Sequence, residues 1–281
     1  MPRVRYADRF RVAPGTKLRL ARIDPSYKDR HADKASAAAE TEAHANRLRE
    51  LQYLIYAENR RSVLVCLQAL DAGGKDGTIN HVLAAMNPQG ARVHAFKQPS
   101  VEEAAHDFLW RAHVHAPRRG EVVVFNRSHY EDVLVTRVHD LVPPAVWSKR
   151  YDLINDFERN LVDSGTHVLK FYLHIGADEQ LARFKQRLDD PSRRWKISES
   201  DYTERELWPD YLKAYEDAIS RTSTKHAPWF VIPANHKWFR NLAVSRILVE
   251  TLEELGMKLP KPTVDLDAIR RKYHREARKQ R

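Results

Sequence analysis

The chain is poor in cysteine, with one in 281 residues, Cys66. A single thiol closes no intrachain disulfide, so burial must hold the fold. Cys66 lies inside the apolar run Ser62-Val-Leu-Val-Cys-Leu67 and reads as a small core residue. Long apolar runs are missing too. No stretch approaches the ~18 residues that a membrane helix needs, and the start, Met-Pro-Arg-Val-Arg, has no apolar leader core. The expectation is a cytoplasmic protein with no membrane partner. Nine glycines and fourteen prolines leave no room for a long low-complexity segment, and no repeat or linker divides the chain. The residues present are 42% hydrophobic, enough for a substantial core. Acidic residues fall short, 38 against 48 Lys and Arg, for a net charge of +10. Such an excess implies a polyanionic partner, nucleic acid or another phosphate-rich ligand. Residues 270–281 hold part of it in a run that reads as a solvated basic tail.

Short apolar runs alternate with stretches of helical spacing. Strands are expected at about 62–68, 92–96, 121–125, 167–174 and 229–232. Helices are expected at about 77–86, 101–115, 143–164, 178–189, 202–221 and 236–256. A long helix over 31–59, with Leu48, Leu51, Leu54 and Ile55 on one face, leads into the first strand. Residues 1–30 are polar and are expected to wrap the surface. Strands that are apolar throughout and separated by helices predict a parallel α/β sheet covered on both faces. Ligands of such sheets sit beyond the carboxyl ends of the strands, which directs attention to the residues that follow each strand.

After the first strand comes Asp71-Ala-Gly-Gly-Lys-Asp-Gly-Thr78. A strand that breaks into glycines and a lysine and restarts as a helix is a phosphate cradle: backbone N–H groups and a helix N-terminus face the anion, and the lysine adds a mobile charge. Gly73, Gly74, Gly77 and Thr78 are the binding candidates. The match to the usual loop is imperfect. Ala69 stands where the first glycine belongs, and Asp76 replaces the hydroxyl residue after Lys75. Asp71 and Asp76 bracket Lys75, and two carboxylates beside a phosphate make sense if they hold Mg²⁺. A plain glycine-rich turn with a surface lysine is the blander alternative.

The third strand leads into Asn126-Arg-Ser-His-Tyr-Glu-Asp132. Arg127 is placed to reach a phosphate with bidentate geometry, and Glu131 or Asp132 could face the metal or the acceptor. Asn126, Ser128, His129 and Tyr130 join the binding candidates, although Asn126 or Ser128 also suits an ordinary helix N-cap. A third cluster, Arg183-Phe-Lys-Gln-Arg-Leu-Asp-Asp-Pro-Ser-Arg-Arg-Trp-Lys196, carries six cations over a helix end and a proline-broken turn. It reads as a lid over phosphates, with Arg183, Arg187, Arg194 and Lys196 as its contacts, or as a solvated face. His113 and His115 point to different sides of a helix and lack a cysteine partner, so no zinc site is expected. Trp110, Tyr130 and Phe96 could each stack on a base.

Together these three motifs resemble the family-2 polyphosphate kinases, over roughly residues 35–258. The resemblance implies a three-layer P-loop kinase fold similar to thymidylate kinase: a parallel central sheet flanked by helices, with a helical basic lid at about 183–200. It implies one kinase domain over 31–258, a surface extension over 1–30 and a basic tail over 259–281. The implied reaction is Mg²⁺-dependent, reversible transfer of the terminal phosphoryl of inorganic polyphosphate to nucleotides. Asp71, Lys75, Asp76, Arg127, Glu131 and Arg187 fall on positions the family uses, with Asp71, Asp76 and Glu131 toward metal. Glu131, where the diphosphate-restricted subgroup has Asn, is similar to the subgroup that accepts both AMP and ADP. No residue reads as a purine selector, so guanine nucleotides stay open as acceptors. A homodimer or homotetramer is implied, and a specific nucleic-acid partner is not. An ATP-dependent kinase of the same fold and a non-enzymatic polyanion binder are the rival readings.

Overall fold

The computed structural model describes residues 4–279. Residues 1–3 and 280–281, the ends of the expected surface extension and basic tail, lie outside the described residues. Five strands form the sheet: β1 (Ser62–Gln68), β2 (Ala91–Ala95), β3 (Val122–Asn126), β4 (Thr166–His174) and β5 (Trp229–Pro233). Their order is β2-β3-β1-β4-β5, and every pairing is parallel. The central β1 is buried along its whole length. Its side chains alternate between the two faces as strand geometry requires. Val63, Val65 and Leu67 pack with Leu48, Leu51 and Ile55 of helix Lys34–Glu58 and with Leu242 and Ala243 of helix Lys237–Glu253. Leu64 and Cys66 pack toward Phe157 and Leu161 of helix Pro144–Asp163. Three layers result, and the parallel register collects the carboxyl ends of all the strands on one edge.

Burial raises the pKa of the Cys66 thiol, which removes the thiolate that alkylating reagents need. Native protein is therefore expected to resist iodoacetamide at neutral pH and to take up one equivalent once unfolded. Intact mass measures both states. Uptake by the native state would contradict the assigned burial.

Two expected helices are each broken in two. Residues 101–115 divide into Val101–Ala105 and Trp110–His115. Between them the Asp107 carboxylate accepts the Leu109 N–H at 2.9 Å, a side-chain turn that replaces a helical hydrogen bond. Residues 202–221 divide at Leu207, where Pro209 opens the second helix, Trp208–Thr222. The N-terminal segment does more than wrap the surface. Tyr6, Ala7 and Leu20 are fully buried, and an antiparallel bridge joins Arg11 to Phe230 on the outer edge of β5. The tail forms helix Leu266–Lys279 with no buried residue. No described helix is long and apolar enough to cross a membrane.

Candidate active site

At the end of β1 the chain turns through Ala69–Gly74 and enters helix Lys75–Leu83. Ala72 and Gly74 both take left-handed backbone, at φ 58 and 104. At that φ a side chain on Gly74 would be strained, and its Cβ would lie 1.7 Å from the Arg240 guanidinium, so the position favours glycine. The irregular first position of the loop has a steric counterpart. A Cβ on Gly73 would meet the Ala69 methyl at 2.6 Å, so the space left by the glycine at 73 is filled by the methyl at 69. Lys75 donates from Nζ to the Ala69 carbonyl at 2.8 Å. Burial pushes its ammonium pKa down, and Asp71 opposes the shift.

Beyond β3, Arg127 also holds a left-handed backbone, φ 60, which in a non-glycine residue marks strain held by its surroundings. Its guanidinium lies 3.3 Å from Asp71 and 3.8 Å from Glu131. Burial alone would lower the pKa of Arg127, but the two carboxylates outweigh it and keep the group charged. Glu131 is pushed up by burial, with Arg127 and Lys75 opposing. Asp76 is exposed, accepts from Asn126 Nδ2 at 3.0 Å and faces Lys196 at 3.8 Å.

Two cavities meet at this junction. The larger, about 640 Å³, is lined by Gly74, Lys75, Asp76, Gly77, Asn126, Arg187 and Lys196 among others. Nine cations line it (Lys75, Lys97, Arg127, Arg183, Arg187, Arg193, Lys196, Lys237 and Arg240) against two carboxylates, Asp71 and Asp76. The smaller, about 250 Å³, is lined by Glu131, His139, Glu204, Trp208, Tyr211 and Tyr215. Asp71 and Arg127 line both.

Several expected contacts lie elsewhere. Ser128, His129 and Tyr130 are fully buried and turn away from the phosphate loop into a polar cluster in the core. Ser128 accepts from Gln68 Nε2 at 3.1 Å. His129 and Tyr130 both bond Glu158, at 3.3 and 2.9 Å, and Glu158 pairs with Lys170. The sequence shows these residues as a polar burst, which resembles a surface loop, but the 3-10 turn His129–Val133 directs them inward. Thr78 is buried and donates its hydroxyl to the Gly74 carbonyl at 3.1 Å. Asp132 turns from the site to pair with Arg111 and Arg150 at 3.4 and 3.3 Å. Arg194 donates to the Leu188 carbonyl, and its neighbour Arg193 lines the cavity instead. Arg183 braces the loop, donating to the Ala72 carbonyl at 2.8 Å and to Asn235 at 2.9 Å. Trp110 stacks on His106, and Phe96 lines the larger cavity. His113 packs on Phe157 while His115 stacks on His94.

Sequence reasoning missed Lys97, Lys237 and Arg240, and the whole aromatic lining of the smaller cavity. The first three follow β2 and β5, so the strand-end rule applied to every strand would have found them. Arg240 is buried over the glycines and has no carboxylate partner among the described residues. Burial, with Arg183 nearby, lowers its pKa to about 9.

A parallel sheet, a glycine loop opening a helix and a cation-lined cavity at the strand ends define a P-loop enzyme that handles phosphate groups. The family model described as Polyphosphate kinase 2 (PPK2) matches residues 31–260. The chain is 54% identical over 262 residues to an AMP/ADP-polyphosphate phosphotransferase of Meiothermus ruber, covering 93% of this chain and 98% of that protein. It is 43% identical over 270 residues to an ADP-polyphosphate phosphotransferase of Rhodopseudomonas palustris, covering 90% and 92%. Its fold is similar to the crystal structure of polyphosphate kinase 2 from Arthrobacter aurescens TC1, with TM-score 0.93, 43% identity and 97% of each chain covered. The chain belongs to the polyphosphate kinase 2 family, and its fold is the P-loop kinase fold.

Proposed function

We propose that the protein moves the terminal phosphoryl group of inorganic polyphosphate onto nucleoside mono- and diphosphates, AMP to ADP and ADP to ATP, reversibly and with Mg²⁺. One observation carries this reading: Asp71 and Arg127 are shared by a cation-lined cavity and a smaller one lined by aromatic and acidic groups. Polyphosphate runs through the first. The nucleotide occupies the second, its base against Trp208 and Tyr211 and its terminal phosphate at Arg127. Arg127 and Lys75 hold the phosphoryl group in transit. A terminal P–O–P bond of the chain breaks, a nucleotide phosphate oxygen takes the phosphorus, and the polymer ends one unit shorter. Phosphate attacking phosphate needs no proton abstraction from an alcohol, so orientation and charge neutralisation supply the catalysis. Arg187, tied to the Lys196 carbonyl at 3.1 Å and to Asp201 at 3.4 Å, holds the lid helix to the turn above the cavity.

Among the described residues no three acidic, histidine or cysteine side chains converge as a resident metal cage. Asp71, Asp76 and Glu131 instead offer separate carboxylates beside phosphate-binding cations. That donor set suits a hard cation that arrives on phosphate oxygens and keeps its waters. Mg²⁺ held there would neutralise charge on the transferred group.

Glu131 faces the nucleotide cavity, where an acidic group compensates for the phosphate that AMP lacks. The Glu131→Asn variant is expected to lose AMP turnover by about 10-fold or more relative to ADP turnover. An unchanged AMP/ADP ratio in steady-state assays would remove this role. The cation-lined cavity makes a second prediction. Between about 50 and 200 mM salt, affinity for long-chain polyphosphate should fall at least about 10-fold through counterion release, with a much smaller change in KM for the nucleotide. Equal salt dependence for both substrates would contradict the assignment of the two cavities.

A further inference from the structure

A third cavity, about 480 Å³, is lined by the N-terminal segment and by β5 at the sheet edge, beside the Arg11–Phe230 bridge. Its floor is apolar: Phe10, Val12, Val231 and Pro233, with Tyr27 at one end. Its rim carries Arg9, Arg11 and Arg22, and one carboxylate, Asp24. Arg9 stacks over Tyr27 at 4.6 Å and Arg11 over Phe230 at 5.8 Å. Among the described residues none of the three guanidinium groups forms an ion pair. The acid near Arg9, Asp29, is already bonded by the hydroxyls of Tyr6 and Tyr27, at 2.8 and 3.0 Å. Three guanidinium groups without a carboxylate partner, around an apolar floor that includes Phe10, fit a ligand with a flat apolar body and an anionic end.

The floor connects to the phosphate loop. Phe10 and Tyr27 pack edge-on against Phe239, with centroids 6.2 and 5.8 Å apart. The next residue, Arg240, holds its guanidinium against Gly74. A second connection runs from the rim. The Pro25 carbonyl accepts the Asn235 N–H at 3.0 Å, the Asn235 side chain accepts the Gly176 N–H at 2.9 Å, and the Asn235 carbonyl accepts from Arg183. Both arginines that brace the phosphate loop are thus packed or bonded to elements that border this groove.

We propose that the groove is a second, regulatory nucleotide site. The base lies on Phe10, Val12 and Val231, with Asp24 accepting from a base amino or ribose hydroxyl group. The phosphates lie against Arg9 and Arg22. Occupancy fixes the Phe10–Tyr27–Phe239 stack and, through it, the position of Arg240 over Gly74. The proposal goes beyond the transfer reaction and does not depend on it, because a chain that lost this site would still carry out transfer.

The test compares wild type with an Arg9→Gln/Arg22→Gln variant by calorimetric titration with ADP in the absence of polyphosphate. Both arginines are exposed, so the variant should fold as wild type does, which circular dichroism checks. The expected result is one fewer equivalent of ADP bound per chain, or one equivalent bound at least about 10-fold more weakly. The rate at saturating substrate should stay within about 2-fold, because neither residue lines the two cavities where transfer is assigned. Velocity against nucleotide concentration should depart from a hyperbola in wild type and follow one in the variant. Identical ADP stoichiometry and affinity in the two proteins would overturn the proposal. So would inorganic tripolyphosphate filling the same equivalent as tightly as ADP, since that ligand has no base for the apolar floor.

Discussion

Replacing Lys75 with alanine is expected to lower kcat for transfer by about 10²–10³-fold, the usual effect of removing one preorganised donor from a developing anion. The ammonium lies at the start of the helix, 2.8 Å from the Ala69 carbonyl, with Asp71, Arg127 and Glu131 acting on its charge. In the proposed transfer it is one of the two cations, with Arg127, that hold the phosphoryl group. The melting temperature should be unchanged or higher, because burial disfavours the charged ammonium by more than Asp71, Glu131 and Asp76 favour it. Lys75→Arg should recover little activity, since a planar guanidinium cannot occupy the space of a compact ammonium. A Lys75→Ala enzyme that kept near-normal kcat would mean that the loop binds phosphate without taking part in transfer.

The second large effect concerns stability. Lys170, Glu158, His129 and Tyr130 form a fully buried cluster behind the Arg127–Glu131 turn, and Lys170 also donates to the Thr222 carbonyl at 2.7 Å. Lys170→Met leaves the Glu158 carboxylate buried without its cation, which should cost about 3–5 kcal/mol, or roughly 10 °C in melting temperature for a domain of this size. The double variant Lys170→Met/Glu158→Gln should recover much of that loss, because the buried charge is then gone. No recovery would mean that packing, and not charge, dominates the cluster.

The same cluster sets an acid limit. Burial alone would raise the pKa of Glu158, but Lys170 and His129 outweigh it and hold the carboxyl below its usual range. The stability it contributes is present above the unfolded carboxylate range and is lost as pH falls through the folded value. His129 acts in the same direction. Burial depresses its imidazole, with Glu158 opposing, so below about pH 6.5 the unfolded chain takes up a proton that the folded chain refuses. Denaturant midpoints should therefore fall from about pH 6.5 downward, and more shallowly in the double variant.

The strands were legible because β1, β3 and β4 are buried on both faces and read as unbroken apolar runs. The loops after β1 and β3 were legible because glycine, lysine and arginine follow those runs directly. Legibility stopped where polarity and exposure part company. Ser128, His129 and Tyr130 look like surface residues in sequence, and only the tertiary fold supplies the buried Glu158 and Lys170 that receive them. Arg240 follows β5 and was within reach of the strand-end rule, but the lining of the smaller cavity comes from helices far along the chain from the loops it faces. Local pattern carries no information about such meetings. The helix break at Asp107 was visible in principle as a side-chain turn, but the apolar spacing around it suggested continuity.

The most direct measurement incubates the purified chain with Mg²⁺ and long-chain polyphosphate, offers AMP or ADP separately, and resolves the nucleotides by chromatography. Polyphosphate-driven transfer gives ADP and then ATP from AMP, ATP from ADP, and a matching shortening of the polymer. Absence of transfer from polyphosphate, with turnover appearing when ATP and a nucleoside are supplied instead, would contradict the proposed function.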